Sequence, residues 1–190
     1  MSRESITFES LTAADFPLIH RWLNDPEVAA WYGLGIENHT YPPLDEVVAH
    51  YTPHINRETP IHPFMMLVGG ERIGYIQCYR IGDWPEYARA IDLDDDAWAI
   101  DLYIGKGEMR DRGLGAAILA AFVEQYVFTR SGVTACLINP NPKNARGIRC
   151  YEKAGFEYVK TVFVPEEGQQ EYVMRVWNPQ NASRTGTRGP

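Results

Sequence analysis

Cysteine is scarce in this 190-residue chain: Cys78, Cys136 and Cys150 are an odd set with no C-x-x-C spacing. That argues against a disulfide framework and against a paired-thiol redox site, so all three read as small buried hydrophobes. Positive charge is also short, 18 Lys and Arg against 25 Asp and Glu, for a formal net charge of −7. A general nucleic-acid binder needs basic patches for phosphates, so no nucleic-acid partner is expected. No apolar run approaches the roughly 18 residues that span a bilayer. The opening Met1-Ser-Arg-Glu-Ser lacks the apolar stretch of a secretory signal. A cytoplasmic protein without a membrane partner is therefore expected. The five histidines form no H-E-x-x-H motif or Cys/His cluster, so no metal is inferred.

With 45% hydrophobic and 23% charged residues, the chain has the composition of a globular protein with a real core. Its length suits one domain, expected over residues 1–177, with a polar, disordered tail at 178–190. Ile6 and Phe8 alternate with polar neighbours as in a strand. Thr12 and Asp15 resemble a helix start, and Phe16, Ile19, Trp22 and Leu23 recur at helical spacing until Asn24-Asp-Pro26. Residues 33–43 read as a loop, and a helix follows from Pro43. Two strands, 64–68 and 72–80, are joined at Gly69-Gly70. The acidic stretch 81–96 reads as a loop and 98–104 as a central strand. A helix over 113–128, a strand over 133–138 and a helix over 143–153 ending near Gly155 come next. Strands 156–164 and 171–177 close as a hairpin. This order describes a mixed α/β domain.

Gly105-Lys-Gly-Glu-Met-Arg110-Asp-Arg-Gly113-Leu-Gly115 lies between a strand and a helix. Glycines there permit positive φ angles and close approach of a ligand to the backbone. The unpaired N–H groups of the helix's first turn, with the helix dipole, form an anion seat, and Arg110 and Arg112 add positive charge. The Walker pattern and a complete G-x-G-x-x-G are both absent, which disfavours nucleotide hydrolysis and dinucleotide binding. Alone, the turn is also compatible with an ordinary strand–helix connection.

A second segment follows: Asn139-Pro-Asn-Pro-Lys-Asn144-Ala-Arg-Gly-Ile-Arg-Cys-Tyr151-Glu-Lys-Ala-Gly155-Phe156. Together the two segments resemble the GNAT superfamily of N-acetyltransferases. The first matches the [QR]-x-x-G-x-[GA] turn through Arg110, Gly113 and Gly115. The second matches N-x-x-A-x-x-x-Y-x-x-x-G-F through Asn144, Tyr151, Gly155 and Phe156, with Gly147 where that family usually has Ala. The resemblance implies a central, mostly antiparallel twisted sheet of about seven strands flanked by about four helices. It also implies acetyl-CoA as cosubstrate. The expected cofactor contacts are Leu102, Tyr103 and Ile104 through the strand, Arg110, Asp111, Arg112, Gly113, Leu114 and Gly115 at the turn, and Asn144, Tyr151 and Lys153.

Acetyl transfer to an amine needs a neutral amine, a polarised thioester carbonyl and a proton for the departing thiolate. Strand N–H groups at Leu102–Ile104 would polarise the carbonyl, and Tyr151 matches the family tyrosine that can donate the proton. Asp101 is an acid inside an apolar strand, a costly placement unless it is paired or functional. It suits binding of the substrate ammonium and uptake of its proton, although a structural ion pair is the simpler alternative.

A closer resemblance is to the aminoglycoside 6′-N-acetyltransferases. It is carried by Arg21-Trp-Leu-Asn24, Glu27-Val28, Trp31-Tyr-Gly33, Ile73-Gly-Tyr-Ile-Gln-Cys-Tyr79, Ile100-Asp101 and Ile148-Arg-Cys-Tyr-Glu-Lys-Ala-Gly-Phe156. In that group the aspartate on the strand before the turn is catalytic, and it falls on Asp101. A polycationic substrate calls for carboxylates and aromatic walls. Candidates are Asp96, Asp101, Glu166 and Glu167, with Trp31, Tyr32 and Trp98, together with Gln77 and Asn139. Asn139 stands where those enzymes often carry an aspartate. The run Asp92–Asp96 reads equally well as a solvated loop. The same chemistry on a siderophore precursor, a lysine side chain or a polypeptide N-terminus is the main alternative. A non-catalytic acyl-CoA-binding module is the more distant one. A monomer or weak homodimer is expected.

Overall fold

A computed structural model of the chain describes residues 5–32, 41–93, 96–165 and 168–180. Its strands are β1 (Ile6–Ser10), β2 (His62–Val68), β3 (Glu71–Arg80), β4 (Ala97–Ile104), β5 (Ala135–Ile138), β6 (Glu157–Val164) and β7 (Gln169–Trp177). Its helices are α1 (Phe16–Leu23), α2 (Pro26–Ala29), α3 (Leu44–Ile55), α4 (Pro85–Ile91), α5 (Leu114–Phe122) and α6 (Ala145–Lys153). The strands form one sheet in the order β1-β2-β3-β4-β5-β7-β6. The β1–β2, β2–β3, β5–β7 and β6–β7 pairings are antiparallel, and β4–β5 is parallel. The seven-stranded, mostly antiparallel sheet is the expected one. The described residues hold six α-helices rather than about four, because two short ones, α2 and α4, escaped the periodicity argument.

The chain groups into two compact units, Met1–Cys78 with Asp101–Ile118, and Tyr79–Ile100 with Leu119–Pro190. In the first, Thr12 donates through N and Oγ1 to Asp15 Oδ2 at 3.0 and 2.7 Å, and Arg72 Nε closes on Asp15 Oδ1 at 2.9 Å. This caps a 3-10 turn, Ala13–Asp15, that leads into α1. Phe16, Ile19, Trp22 and Leu23 of α1 are buried against Val47 and Tyr51 of α3, Met65 and Leu67 of β2 and Tyr75 of β3. Asp25, expected only to end α1, also starts α2, accepting from Glu27 N at 2.8 Å with Pro26 at the first helical position. Gly69 and Gly70, at φ +59° and +82°, close the β2–β3 hairpin as expected.

In the second unit the stretch read as an acidic loop contains α4. Pro85 starts it, Ile91 is fully buried, and Asp92 ends it in the left-handed region at φ +47°. The polar composition concealed a helix whose inward face packs into the cluster of Ile81, Ala97, Ala99, Leu137, Val164 and Val173. The helix expected over 113–128 is α5 followed by a wider π-helical turn, Val123–Val127, with both valines buried. At the start of the expected tail, Asn178 is buried and held by Thr134 O and Val133 O at 2.8 and 2.9 Å. Residues 181–190 lie outside the described residues, as do 33–40 of the expected loop.

Candidate active site

The glycine turn leaves the end of β4 in the first unit. Asp111 and Gly113 take positive φ angles of +58° and +75°, and α5 starts at Leu114. A Cβ on Gly113 would meet no atom within 4 Å. Alternating backbone signs before a helix N-terminus turn successive N–H groups toward one side, a concavity suited to a phosphate. Arg112 is exposed there, and its Nη1 donates to Met109 Sδ at 3.2 Å.

Arg110, expected to add charge at the turn, faces inward. Its guanidinium is 9% exposed and engaged with the protein itself. Nη2 lies 2.8 Å from both Asp25 Oδ2 and Gly105 O, Nε lies 2.8 Å from Ile104 O, and Nη1 lies 3.3 Å from Glu27 Oε2. The Arg110 hydrogen bond holds the Asp25 carboxyl below its ordinary range. Arg110 therefore braces the turn. Two glycines tighten the same strand end. A Cβ on Gly105 would run into the Trp22 indole, and one on Gly74 into the Tyr103 carbonyl.

Asp101 is half-buried on β4, and its Oδ2 accepts from Gln77 Nε2 at 2.8 Å. Gln77 Oε1 in turn accepts from Tyr75 Oη at 2.7 Å. Tyr75 stacks on Tyr103 with centroids 5.6 Å apart and meets Tyr51 edge-on at 5.2 Å. Tyr32 packs edge-on against Tyr103 at 4.6 Å. Burial pushes the Tyr51 and Tyr75 phenols well above their ordinary range, and the nearby Asp101 charge adds to both shifts. These hydroxyls therefore stay protonated. The parallel register of β4 with β5 covers Ala97–Ala99, and Leu102–Ile104 lie beyond it.

In the second unit, Asn144 caps α6, its Oδ1 accepting from Gly147 N at 2.9 Å. The departure at Gly147 has a local reason: an added Cβ would sit 2.8–3.0 Å from the Asn144 side chain. Gly155, at φ +94°, ends the helix. Tyr151 is half-buried on α6, and Lys153 is exposed in its last turn. Asn139 Nδ2 donates to Tyr87 Oη, which donates to Glu171 Oε2 at 2.8 Å; Glu171 is 6% exposed. Two expected substrate contacts have partners within the protein. Asp96 pairs with Arg80 Nε at 2.8 Å, and Arg130 covers the Trp98 ring at 4.1 Å from its centroid.

The first unit thus brings Gln77, Asp101, Tyr103 and Tyr32 together, while Trp31 is 47% exposed. Glu166 and Glu167 lie outside the described residues, as do Asp94 and Asp95. The sequence reading missed Tyr75, Tyr51, Asp25, Tyr87 and Glu171. Tyr75 is the most legible of these in sequence, because residues two apart on a strand share a face and Gln77 lies two positions on. Among the described residues, no group of three His, Cys, Asp or Glu side chains could hold a metal, and no helix is long and apolar enough to cross a membrane.

A family model described as an acetyltransferase (GNAT) domain matches residues 12–164. Aminoglycoside N(6′)-acetyltransferase type 1 of Klebsiella pneumoniae is 34% identical over 170 residues, 87% of this chain and 80% of that protein. The protein of the same name from Serratia marcescens gives the same figures. Among solved structures, AAC(6′)-Ib in complex with ribostamycin and coenzyme A aligns with a TM-score of 0.82 at 30% identity. That alignment covers 98% of this chain and 100% of the other. The family match spans most of the chain and includes the glycine turn and α6; this protein belongs to the GNAT acetyltransferases.

Proposed function

We propose that this protein transfers the acetyl group of acetyl-CoA directly to the 6′-amino group of an aminoglycoside, an activity that confers resistance to the drug. The observation that carries this reading is Asp101, a half-buried carboxylate on the strand that runs straight into the phosphate-type turn. Its support is the 34% identity to proteins named aminoglycoside N(6′)-acetyltransferase and the likeness to structures that hold ribostamycin or kanamycin with coenzyme A.

The open space beside Gly113, at the start of α5, suits a phosphate group, and the cosubstrate supplies an activated thioester. Asp111, Arg112, Gly113, Leu114 and Gly115 hold the pyrophosphate, Arg112 through its side chain and the others through the backbone. Leu102–Ile104 present main-chain donors to the thioester carbonyl. Asp101 attracts the substrate ammonium and takes its proton, which leaves a neutral amine as nucleophile. A carbon–nitrogen bond then forms as the carbon–sulfur bond breaks. Tyr151 holds the proton for the leaving sulfur. Asn144 and Lys153 sit on α6 as further contacts for the cosubstrate, and Tyr32 and Trp31 are aromatic surfaces for the sugar rings.

Thiol release by purified protein with acetyl-CoA tests this against kanamycin-type amines, peptides with free N-termini and linear polyamines. Turnover is expected with the aminoglycosides and must disappear when their 6′-amine is replaced by hydroxyl. Release with peptides alone would sink the proposal. Asp101→Asn is expected to lower kcat by about 100-fold or more, the scale of a lost general base.

A further inference from the structure

Ile73, Tyr75, Gln77 and Tyr79 alternate along β3, so Tyr75 and Gln77 project from one face. Gln77 is 9% exposed and Tyr75 is fully buried. Burying an amide is costly unless both its ends are bonded, and here both are: Tyr75 Oη donates to Oε1 at 2.7 Å, and Nε2 donates to Asp101 Oδ2 at 2.8 Å. The order of these bonds carries information. A carboxamide can turn over and exchange its oxygen and nitrogen, and an exchanged Gln77 would aim a lone pair at the Asp101 carboxylate. A phenol whose proton is retained donates to the oxygen end, which leaves the N–H end for Asp101. The Tyr75 ring itself has no room to swing, stacked on Tyr103 at 5.6 Å and edge-on to Tyr51 at 5.2 Å.

We infer that Tyr75 is a positioning residue for acetyl transfer: through the Gln77 amide it holds the Asp101 carboxylate in the single orientation that receives the substrate proton. The inference rests on the proposed role of Asp101. Neither Tyr75 nor the inward face of Gln77 touches the reacting atoms in this arrangement; both act through Asp101. The hydroxyl of Tyr75 is therefore a kinetic requirement, whereas its ring is a packing requirement.

The test is a double-mutant cycle on the full chain, with whichever amine of the panel the unaltered protein acetylates fastest. Tyr75→Phe keeps the ring and removes only the hydroxyl; Gln77→Met keeps the length and removes both bonding ends. Tyr75→Phe is expected to lower kcat about 5- to 20-fold, with the acetyl-CoA KM unchanged within about twofold. Gln77→Met should cost at least as much, and adding Tyr75→Phe to it should cost nothing more, because the hydroxyl acts only through the amide. A Tyr75→Phe protein with lowered melting temperature and unchanged kcat overturns the inference, as do losses that multiply in the double variant. Should Tyr75→Phe fail to fold, unchanged kcat in Gln77→Met alone overturns it. Asp101→Asn separates the two readings: if that variant is dead while Tyr75→Phe is fully active, Asp101 keeps its role and Tyr75 loses its own. If Asp101→Asn is itself fully active, the base assignment fails first.

Discussion

Arg110, nearly buried, forms an ion pair with the partly exposed Asp25, Nη2 lying 2.8 Å from Oδ2, and the same guanidinium bonds the carbonyls of Ile104 and Gly105. One side chain thereby ties the end of β4 to the start of α2. Lysine carries the charge but not the fork that reaches three acceptors at once. Arg110→Lys is expected to raise the acetyl-CoA KM and to lower stability by about 2 kcal/mol, since it leaves partly buried acceptors unpaired. Thermal melts and steady-state kinetics check both. An unchanged melting temperature would contradict the bracing role.

Arg112 should behave in the opposite way. It is exposed beside the turn, with a thioether as its recorded contact. Arg112→Ala is expected to raise the acetyl-CoA KM about 5- to 10-fold, the scale of one lost charged hydrogen bond, without moving the melting temperature. High salt should narrow the difference between the two proteins.

Gly105 lies against the face of Trp22, a core residue 6% exposed. Gly105→Ala has to push an indole out of a packed cluster or bend β4. A loss of about 2–3 kcal/mol is expected, at the upper end of ordinary overpacking. Urea unfolding measures it. Restoration by Trp22→Phe in the same chain would identify the clash as the cause.

His50 lies on α3 with its ring 5.0 Å from that of His54. Burial, and then the neighbouring His54, lower its pKa from 6.5 to about 4. The unfolded chain therefore binds a proton at His50 between about pH 6.5 and 4 that the folded chain refuses. Stability from this residue is complete above pH 6.5 and declines as the pH falls toward 4. With its partial exposure allowed for, the loss is about 1–2 kcal/mol. His50→Gln should flatten the acid side of a stability–pH curve measured by urea unfolding. Identical slopes in the two proteins would count against this account.

Tyr87 gives Glu171 a donor at 2.8 Å inside the second unit, where the glutamate is 6% exposed. Tyr87→Phe removes that donor and the acceptor of Asn139 together. A loss of about 1–3 kcal/mol is expected, because it takes one hydrogen bond from a buried carboxylate. Calorimetry at a single neutral pH measures it, and an unchanged melting temperature would contradict this account.

Much of this molecule can be read from local pattern. β1, the β2–β3 hairpin, β4 and α6 follow from alternation, turn glycines and the helix end at Gly155, all of which act within a few residues. The acidic segment before β4 misled because α4 is only seven residues long and lies among the acids Asp83, Glu86 and Asp92, although Ile91 is fully buried and Tyr87, Ala88 and Ala90 pack beside it. Helix α2 is four residues long, too short for any periodicity to register.

Composition, spacing and motif by themselves determined the fold class and the family, and they placed Asp101 on a strand that leads to a glycine turn. Those signals are short-range, set by backbone conformation and by which side chains share a face. Tertiary structure decided what each charged group does. Arg110 and Arg112 look equivalent along the chain, yet one is clasped by Asp25 from 85 positions away and the other is exposed. Asp96 and Trp98 look available in sequence and are held by Arg80 and Arg130. Partner choice for a charge depends on what folding brings within about 3 Å, because hydrogen bonding decays over that distance. No local pattern carries that information.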